Sequence, residues 1–429
     1  MKFLLNIFFL FFFSTIIFAE NELKFFIDAA LENNIVLNAE RKNKLSIKQN
    51  VNISRSEFLP SLSVSSNQTS SQSTNKTNQT GTSISDTNLD SESTTVSIDQ
   101  KIFQGFKGYN SLKKSELEYK QSEFKLKQVE QETILNTATA YFDFIFKTKT
   151  RNFNQSNVSL FERQVESDSA RVQKGEITLT DLAQSESSLA GANASLIKAK
   201  TELLASKTNF ERITREDIPP ADSLNDQVNI NLPQTLSKAL KIAKRNNLDL
   251  LIAQMDYEIS KKELNIEKAR LSPSASINYS KSENRDFSST IDKVDQESVK
   301  ATVTWPIIKG GENISSIKKS SLNKQRASLL AEDAENKAVT NTTNIWSNFQ
   351  SSQSVLRATK AQLKAAEIAN EGITLEYDSG NTRTTLDVIQ STSLLLDARK
   401  SFAKAERDFI ISKITLAFQL GTLSKNSLN

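Results

Sequence analysis

The residues that could do chemistry in this chain are concentrated in one short polar stretch between two helical patterns. The stretch is YDSGNTRTTLDVIQ, Tyr377 to Gln390, and both of its flanks have the pattern of long helices. Gly380 and Asn381 in its middle are residues that end helices, and Thr, Arg and Asp side chains follow at once. These side chains offer hydrogen bonds and charges. The sequence therefore places a polar turn between two long helices.

The composition excludes most catalytic chemistry. The chain contains no His and no Cys among its 429 residues, which removes Ser-His and Cys-His catalysis, His general bases and His metal ligands. Carboxylate chemistry stays open in principle, but we find no Gly-rich phosphate loop and no paired carboxylates in a pocket-like context. We expect no enzyme, no cofactor and no metal site. The 54 basic and 50 acidic residues nearly balance, so we expect no nucleic-acid partner either.

The first residues have the pattern of a secretory signal peptide. Lys2 supplies a positive start, an almost wholly apolar run follows from Phe3 to Phe13, and Ala19 is a small residue before a cleavage point. We predict a signal peptide over residues 1–19. The alternative is a membrane anchor, for which about 16 apolar residues is short, since a span needs roughly 20. Beyond residue 20, no apolar run is long enough for a transmembrane helix.

The chain repeats itself once. Asn33 and Asn246 are 213 residues apart, as are Pro60 and Pro273, whereas two later glycine pairs are 205 apart. These later pairs are Gly105 with Gly310 and Gly175 with Gly380. We predict a first repeat over 20–215, a linker over 216–234, a second repeat over 235–423 and a C-terminal tail over 424–429. Because only 10 Gly and 6 Pro interrupt the chain, its elements should be long.

A seven-residue repeat of large apolar residues follows the second glycine of each copy. The first row is Leu182, Leu189, Leu196, Leu203 and Phe210, and the second is Val388, Leu395, Phe402, Phe409 and Leu416. Small residues run beside them, with Ala192, Ala199 and Ser206 in the first copy and Ala398, Ala405 and Ser412 in the second. A strict heptad indicates a coiled-coil seam, although an ordinary amphipathic helix is the simpler alternative.

Each copy also carries two alternating segments that predict β-strands. They begin after Pro60, near Ser91, after Pro273 and near Val299, and each has one apolar and one polar face. Membrane-barrel strands have this pattern, and a half-buried soluble hairpin has it too. Polar segments, which we interpret as long loops, join each pair of strands over residues 67–90 and 281–296.

Four strands cannot close a membrane barrel. About eight is the practical minimum, and unpaired edge groups are too costly in lipid. The barrel must therefore be shared between chains, and two or three copies both satisfy that condition. The 65 or so residues between Gly105 and Gly175 would form a helix of roughly 100 Å. Paired with the heptad helices, these long helices predict two antiparallel hairpins that turn at Gly175 and Gly380.

The mature chain resembles the outer-membrane efflux protein family, the TolC-like exit ducts. The resemblance rests first on the order helix, strand pair, long helix, turn and helix, which occurs twice in the chain. It rests also on Leu59-Pro60 and Ser272-Pro273 before strands and on the segment from Ile102 to Gly105. The most specific motif is YDSGNTRTTLDVIQ. It implies a mainly α fold with membrane β: a transmembrane β-barrel shared by a homotrimer, four strands per protomer, continuous with a long periplasmic α-helical barrel. The implied location is the cell outer membrane, extending into the periplasm.

The resemblance also implies a periplasmic gate at the two hairpin turns. Tyr377 and Arg383 match a tyrosine and an arginine that hold the tip of the channel closed against a Thr-Asp pair, here Thr180 and Asp181. Asp387 matches a carboxylate that projects into the closed entrance. Gln390 stands where the family pattern has a second Asp, so cation selectivity should be weaker here.

For the returning helices at the two turns, we predict caps from Thr178 and Thr180 in the first copy and from Thr384 and Thr385 in the second. One more residue separates Gly380 from Asp387 than separates Gly175 from Asp181, which leaves the alignment of the two turns open by one residue.

These observations predict a passive outer-membrane channel of a tripartite export system. The implied partners are a periplasmic adaptor (membrane fusion) protein, an inner-membrane transporter and outer-membrane lipid. The cargo is either small molecules or proteins exported by type I secretion, and the sequence does not separate the two. The alternative from another class is a periplasmic or surface coiled-coil protein without channel activity. An adaptor is a third interpretation, but it predicts a lipoyl-like β module that we do not find.

Overall fold

The computed structural model describes residues 22–221, 224–225, 227–288, 290–379 and 383–428. The predicted signal peptide lies outside these residues. Across the described ranges, the helices are all too short or too polar to cross a bilayer.

Eight α-helices and six strands are described, together with a short 3-10 helix over Lys425–Ser427. The helices are α1 (Glu22–Asn33), α2 (Ile35–Ser56), α3 (Lys107–Gln173), α4 (Leu179–Thr214), α5 (Leu236–Asn246), α6 (Leu248–Ala269), α7 (Glu312–Asp378) and α8 (Thr385–Gln419). The strands are β1 (Ser61–Ser73), β2 (Lys76–Thr77), β3 (Ser83–Ile84), β4 (Thr87–Gln104), β5 (Ser274–Ser288) and β6 (Ile291–Thr304). The order of helices and long strands is the same in the two copies, which confirms the predicted internal repeat.

Each copy contains one very long helix, as its scarcity of Gly and Pro predicts. α3 and α7 both have 67 residues. α3 follows β4 closely because Gly105 turns the chain with a φ of 59°, a conformation that favours glycine. A Cβ atom there would lie 2.4 Å from the Cβ atom of Ser272, so the close approach of the two segments also requires glycine.

The chain forms two compact units, and each takes corresponding parts of both repeats. Unit 1 comprises Met1–Asn38, Gln128–Asn247 and Ala338–Asn429, and unit 2 comprises Ala39–Lys127 and Leu248–Lys337. Unit 2 contains the β-sheet and the first parts of α3 and α7, and unit 1 contains the remaining parts of these two helices together with α4 and α8.

The four long strands of unit 2 form one antiparallel sheet in the order β1-β4-β5-β6. Its register aligns apolar residues across all four strands, since Leu62 pairs with Ile98, Ile98 with Tyr279 and Tyr279 with Val299. This face is open in the single chain, where Leu62 is 68% exposed and Val299 75% exposed. The period-two pattern of the sequence therefore identified the strands and their apolar face.

The predicted loops of the sheet are shorter than expected. Residues 67–73 and 87–90 extend β1 and β4, and most of 281–296 lies in β5 and β6. The prediction of long loops was wrong here because a strand is held by backbone hydrogen bonds, which polar side chains allow as well as apolar ones. The remaining connection between β1 and β4 contains the small β2–β3 hairpin, which the sequence did not indicate.

Unit 1 is centred on an aromatic core. Phe26 of α1 packs edge-to-face on Phe210 of α4 with ring centroids 4.9 Å apart, and Tyr141 of α3 lies beside both. Tyr141 and Phe210 are completely buried. The described part of the linker joins this core through Ile218, Val228 and Ile230, and α8 joins it through Ile414. The linker has neither α-helix nor β-strand in its described residues.

The heptad rows of α4 and α8 face inward. Leu196 and Phe210 are buried in the first row, as are Val388, Leu395 and Leu416 in the second, and the other members are half-buried. The small residues beside them are buried or half-buried too, with Ala398 only 1% exposed. α4 and α8 contact each other. Both rows therefore lie on packed faces, and their assignment to a coiled-coil seam stays a prediction.

Candidate functional site

The first hairpin turn is built by a glycine and a capping threonine. α3 ends at Gln173 and Gly175 adopts a φ of 76°. The amides of Gly175 and Glu176 donate to the carbonyls of Val172 and Arg171, which is the pattern of a helix end closed by a left-handed glycine. The returning helix α4 is capped by Thr178, whose hydroxyl accepts from the amide of Asp181.

The second hairpin turn repeats this cap. α7 ends at Asp378, and Thr384 caps α8 by accepting from the amide of Asp387. In each turn the Asp side chain accepts in return from the capping threonine's own amide, so both form a complete capping box. Gly380 and Asn381, the residues predicted to make this turn, lie outside the described residues.

The caps settle how the two turns align. Thr178 matches Thr384 and Asp181 matches Asp387, and both pairs are 206 residues apart. The additional residue of the second copy therefore lies between Gly380 and Thr384. The expected caps from Thr180 and Thr385 were wrong, because only a threonine three positions before the aspartate can exchange both hydrogen bonds with it.

Both capping aspartates carry a stabilised negative charge. Hydrogen bonds from the side chain and amide of Thr178 lower the pKa of Asp181. The amide and side chain of Thr384 lower the pKa of Asp387 in the same way. Anions at a helix N-terminus are also favoured by the helix dipole. Each turn therefore presents a carboxylate that stays ionised at neutral pH.

Tyr377 is the most constrained of the predicted site residues. It is only 5% exposed, and its hydroxyl donates to the carboxylate of Asp168 on α3 at 2.9 Å. It also lies 3.0 Å from the hydroxyl of Thr385, the first residue of α8. The guanidinium of Arg171 sits over its ring at 4.5 Å from the centroid. Tyr377 thus joins the last turn of α7 to α3 and α8.

The phenol of Tyr377 is held in its neutral form. Burial raises its pKa, the hydrogen bond with Thr385 lowers it, and the carboxylate of Asp168 raises it again, leaving the pKa above its ordinary value. The neutral phenol keeps the proton that it donates to Asp168. Thr385 is then the donor in its own hydrogen bond to the Tyr377 oxygen.

Asp168 is a site residue that the sequence reasoning missed. It is completely buried, whereas an aspartate on a long polar helix is most often solvated. A signal was available: Asn154, Phe161 and Asp168 are seven residues apart on α3, and the first two are also buried. A heptad position continues the buried face of a helix whatever residue occupies it.

Arg383 makes a different contact from the one expected. Its Nε atom lies 2.6 Å from the Glu376 carboxylate, and both side chains are more than 40% exposed. Thr180 and Gln390 are exposed, and Asp181 bonds to its own cap. Within the described parts of this single chain, neither Tyr377 nor Arg383 is bonded to Thr180 or Asp181, so that pairing stays a prediction.

The fold defines a class of protein. The solved open-state structure of the MtrE outer membrane channel of Neisseria gonorrhoeae matches this chain with a TM-score of 0.78, covering 94% of this chain and 91% of that one at 17% identity. This chain therefore shares the fold of that channel, with two helical hairpins and a four-stranded sheet.

The sequence comparison makes the assignment specific. The family model described as outer membrane efflux protein matches residues 26–214 and 239–422, and this chain belongs to that family. Outer membrane protein TolC of Escherichia coli strain K12 is 26% identical, with 97% of this chain and 85% of the relative covered. The alkaline protease secretion protein AprF of Pseudomonas aeruginosa is 20% identical over 93% of this chain and 84% of the relative.

Family membership locates the chain in the outer membrane, from which it extends into the periplasm. It also decides between the two function classes, since the family is one of export channels and not of coiled-coil structural proteins.

Proposed function

We propose that this chain is one third of a passive export duct, a homotrimer whose outer-membrane barrel is closed by the sheets of three protomers. The observation that carries this proposal is the sheet of unit 2. Among the described residues, its outer strands β1 and β6 each have one unpaired edge, and its apolar face is exposed. Lipid tolerates the apolar face but not the edges.

Three copies give a barrel of twelve strands in which β6 of one protomer pairs with β1 of the next. Two copies would give eight, the practical minimum, whose interior is filled by side chains and leaves no duct for cargo. The polar face of each sheet, with Ser63, Ser97, Asn278 and Ser280, then lines an aqueous interior. In this arrangement the apolar face of each sheet contacts lipid, the polar face contacts water, and both edges pair with neighbouring protomers.

The transport energy comes from partners. We propose that a periplasmic adaptor and an inner-membrane transporter engage the hairpin turns, and that the duct itself only opens and closes. The family is named for efflux and the relative AprF for protease secretion. The transporter that docks therefore selects whether small molecules or proteins pass.

The hairpin turns form the gate of this duct. We assign the closing contacts to Tyr377 and Arg383, with Thr180 and Asp181 of the other hairpin as their partners in the closed assembly. Asp387, with Gln390 one turn further along α8, faces the mouth. Three copies of the Asp387 carboxylate around one axis would attract cations.

The experiment that tests this function separates the oligomer from the single chain. Outer-membrane fractions should contain a heat-modifiable trimer, and the purified trimer should produce discrete conductance steps in planar lipid bilayers. Monomer isolated after heating should produce none, because four strands cannot enclose a pore. Conductance from the monomer, or a silent intact trimer, would contradict the proposal.

A further inference from the structure

The buried carboxylate of Asp168 collects hydrogen bonds from three helices. It accepts from the amide of Gln164 on its own helix α3 at 3.0 and 3.1 Å, one distance to each oxygen. It accepts from the hydroxyl of Ser185 on α4 at 2.5 Å and from the hydroxyl of Tyr377 on α7 at 2.9 Å. We call these four residues the Asp168 cluster.

The cluster is a carboxylate stabilised by neutral donors. In the described parts of the chain, no Lys or Arg forms an ion pair with Asp168 within 4.0 Å; Arg171, one turn along α3, pairs with Glu176 instead. A buried charge is costly unless hydrogen bonds replace its water, and hydrogen bonds to a charged acceptor are stronger than neutral ones. The three donors therefore hold the Asp168 carboxylate in position, and the carboxylate in turn orients the three donor side chains.

We propose that Asp168 is the positioning residue that holds the closed gate, through its hydrogen bond to Tyr377. This inference rests on the proposed gate at the hairpin turns. Tyr377 is the group that belongs to the second hairpin, whereas Gln164, Asp168 and Ser185 all belong to the first. Two hydrogen bonds of the cluster therefore cross between the hairpins, a short one from Tyr377 to Asp168 at 2.9 Å and a long one from the amide of Gln164 to the Tyr377 hydroxyl at 3.5 Å, and both must break when the hairpins separate.

The arrangement allows reversible opening. When α7 moves away, Asp168 keeps the hydrogen bonds from Gln164 and Ser185, because both donors move with it. Tyr377 keeps the hydrogen bond from Thr385, which is on its own hairpin. The polar groups on both sides therefore remain partly satisfied. Opening exchanges one charge-assisted hydrogen bond, the longer bond from Gln164 and the contact of Arg171 with the Tyr377 ring for contacts with water.

The test is a double-mutant cycle on the intact trimer in planar bilayers. Asp168→Asn and Tyr377→Phe should each raise the fraction of time spent in the open state by about tenfold or more, as expected for loss of one hydrogen bond to a charged group. The double variant should add little, because both changes remove the same bond. Trimer melting temperature should stay near the wild-type value in all three.

Two control variants separate positioning from general structure. Ser185→Ala leaves the bond between Tyr377 and Asp168 in place, so it should open the channel much less than Asp168→Asn does. Asp256→Asn removes the charge of another aspartate that accepts from a glutamine, Gln121 at 2.7 Å, but within unit 2. It should leave the open fraction unchanged.

A thiol measurement makes the inference testable without conductance. The chain has no Cys, so Ile389→Cys introduces one thiol. Ile389 lies on α8 and packs against an apolar cluster of the first hairpin, formed by Val158, Phe161, Ala192 and Leu196. A maleimide should label it faster in the Asp168→Asn background than in the wild-type background.

The inference is overturned if Asp168→Asn leaves both the open fraction and the labelling rate unchanged, or if the two single variants add fully in the double variant. A wild-type trimer that does not conduct while labelling responds to Asp168→Asn would instead contradict the proposed channel and support the contact.

Discussion

The helices α3 and α4 are held to the second hairpin by apolar packing in one region, through α8, and by a polar cluster in another, through α7. Around Tyr141 and Phe210 the contacts are aromatic and aliphatic, completely buried and shared with α1 and the linker. Near the hairpin turns, Asp168, Ser185 and Tyr377 connect the helices through hydroxyl and carboxylate groups. Both regions are buried, but the first is stabilised by apolar contacts and the second by hydrogen bonds.

This difference indicates which region is built to move. Apolar burial is non-directional and is lost in proportion to the area exposed, so separating helices at the aromatic core has a large cost. A hydrogen bond can be exchanged for one to water at a small net cost. We therefore expect the turns to separate while the aromatic core stays closed.

The largest effect is expected from a charge placed in the apolar seam. Leu196 is 6% exposed and packs with Val158 and Phe161 of α3. Leu196→Asp should destabilise the trimer by roughly 4–5 kcal/mol because the carboxylate would be buried without a partner. Thermal melting of the trimer measures this. Ile197→Asp is the matched control, since Ile197 is 65% exposed, and equal losses from both would contradict the seam.

Removing an aromatic ring from the core of unit 1 should cost somewhat less. Phe210 is completely buried against Phe26 and Tyr141, and Phe210→Ala should cost about 3–4 kcal/mol from lost burial and the cavity left behind. The open fraction of the surviving trimers should not change. Leu204→Ala, at a residue 64% exposed, provides the control. A leaky gate in Phe210→Ala would show that the two regions are coupled.

The caps of the returning helices should have a smaller effect. Thr384→Ala removes the acceptor for the amide of Asp387 and should cost about 1 kcal/mol, as should Thr178→Ala in the other turn. Ser393→Ala on the exposed face of α8 is the control. Calorimetry of the trimer should detect the difference, and equal melting temperatures for Thr384→Ala and Ser393→Ala would argue against the capping boxes.

The same caps predict a dependence on pH. Because the pKa values of Asp181 and Asp387 are lowered in the folded chain, their contribution is complete above the ordinary Asp pKa of about 3.9. This contribution to the free energy of unfolding is lost as the pH falls through the lowered pKa values that the two aspartates have in the folded chain. The stability difference between wild type and Thr384→Ala should accordingly shrink in strong acid.

A change of charge at the mouth should alter selectivity, with a loss of stability no larger than that expected for a lost cap. Asp387→Asn should lower the preference for cations and weaken block by multivalent cations, because a carboxylate at a channel entrance concentrates them. Reversal potentials in a salt gradient measure this preference. Asp181→Asn removes the equivalent capping carboxylate, so an equal shift from both variants would show that the effect is not specific to Asp387.

Periodic features of this fold were predictable, and individual contacts were not. The heptads through Leu196 and Leu395, the long helices and the turn at Gly175 follow from spacing, which a sequence displays directly. The lengths of β1 and β4 did not follow, because backbone pairing continues through polar residues. The heptad spacing of Asp168 indicates its burial, but its partners Ser185 and Tyr377 could not be predicted, because they come from α4 and α7 and meet Asp168 only in the folded chain.

The central claim is that the gate opens without loosening the rest of the helices. The most direct test is the single-channel conductance of the Tyr377→Phe, Arg383→Ser double variant, recorded together with trimer melting temperature. We predict a higher conductance than wild type with a nearly unchanged melting temperature, because each bond removed contributes only about 0.5–3 kcal/mol. An intact trimer with wild-type conductance would contradict the account and leave Tyr377 and Arg383 as ordinary residues of a turn.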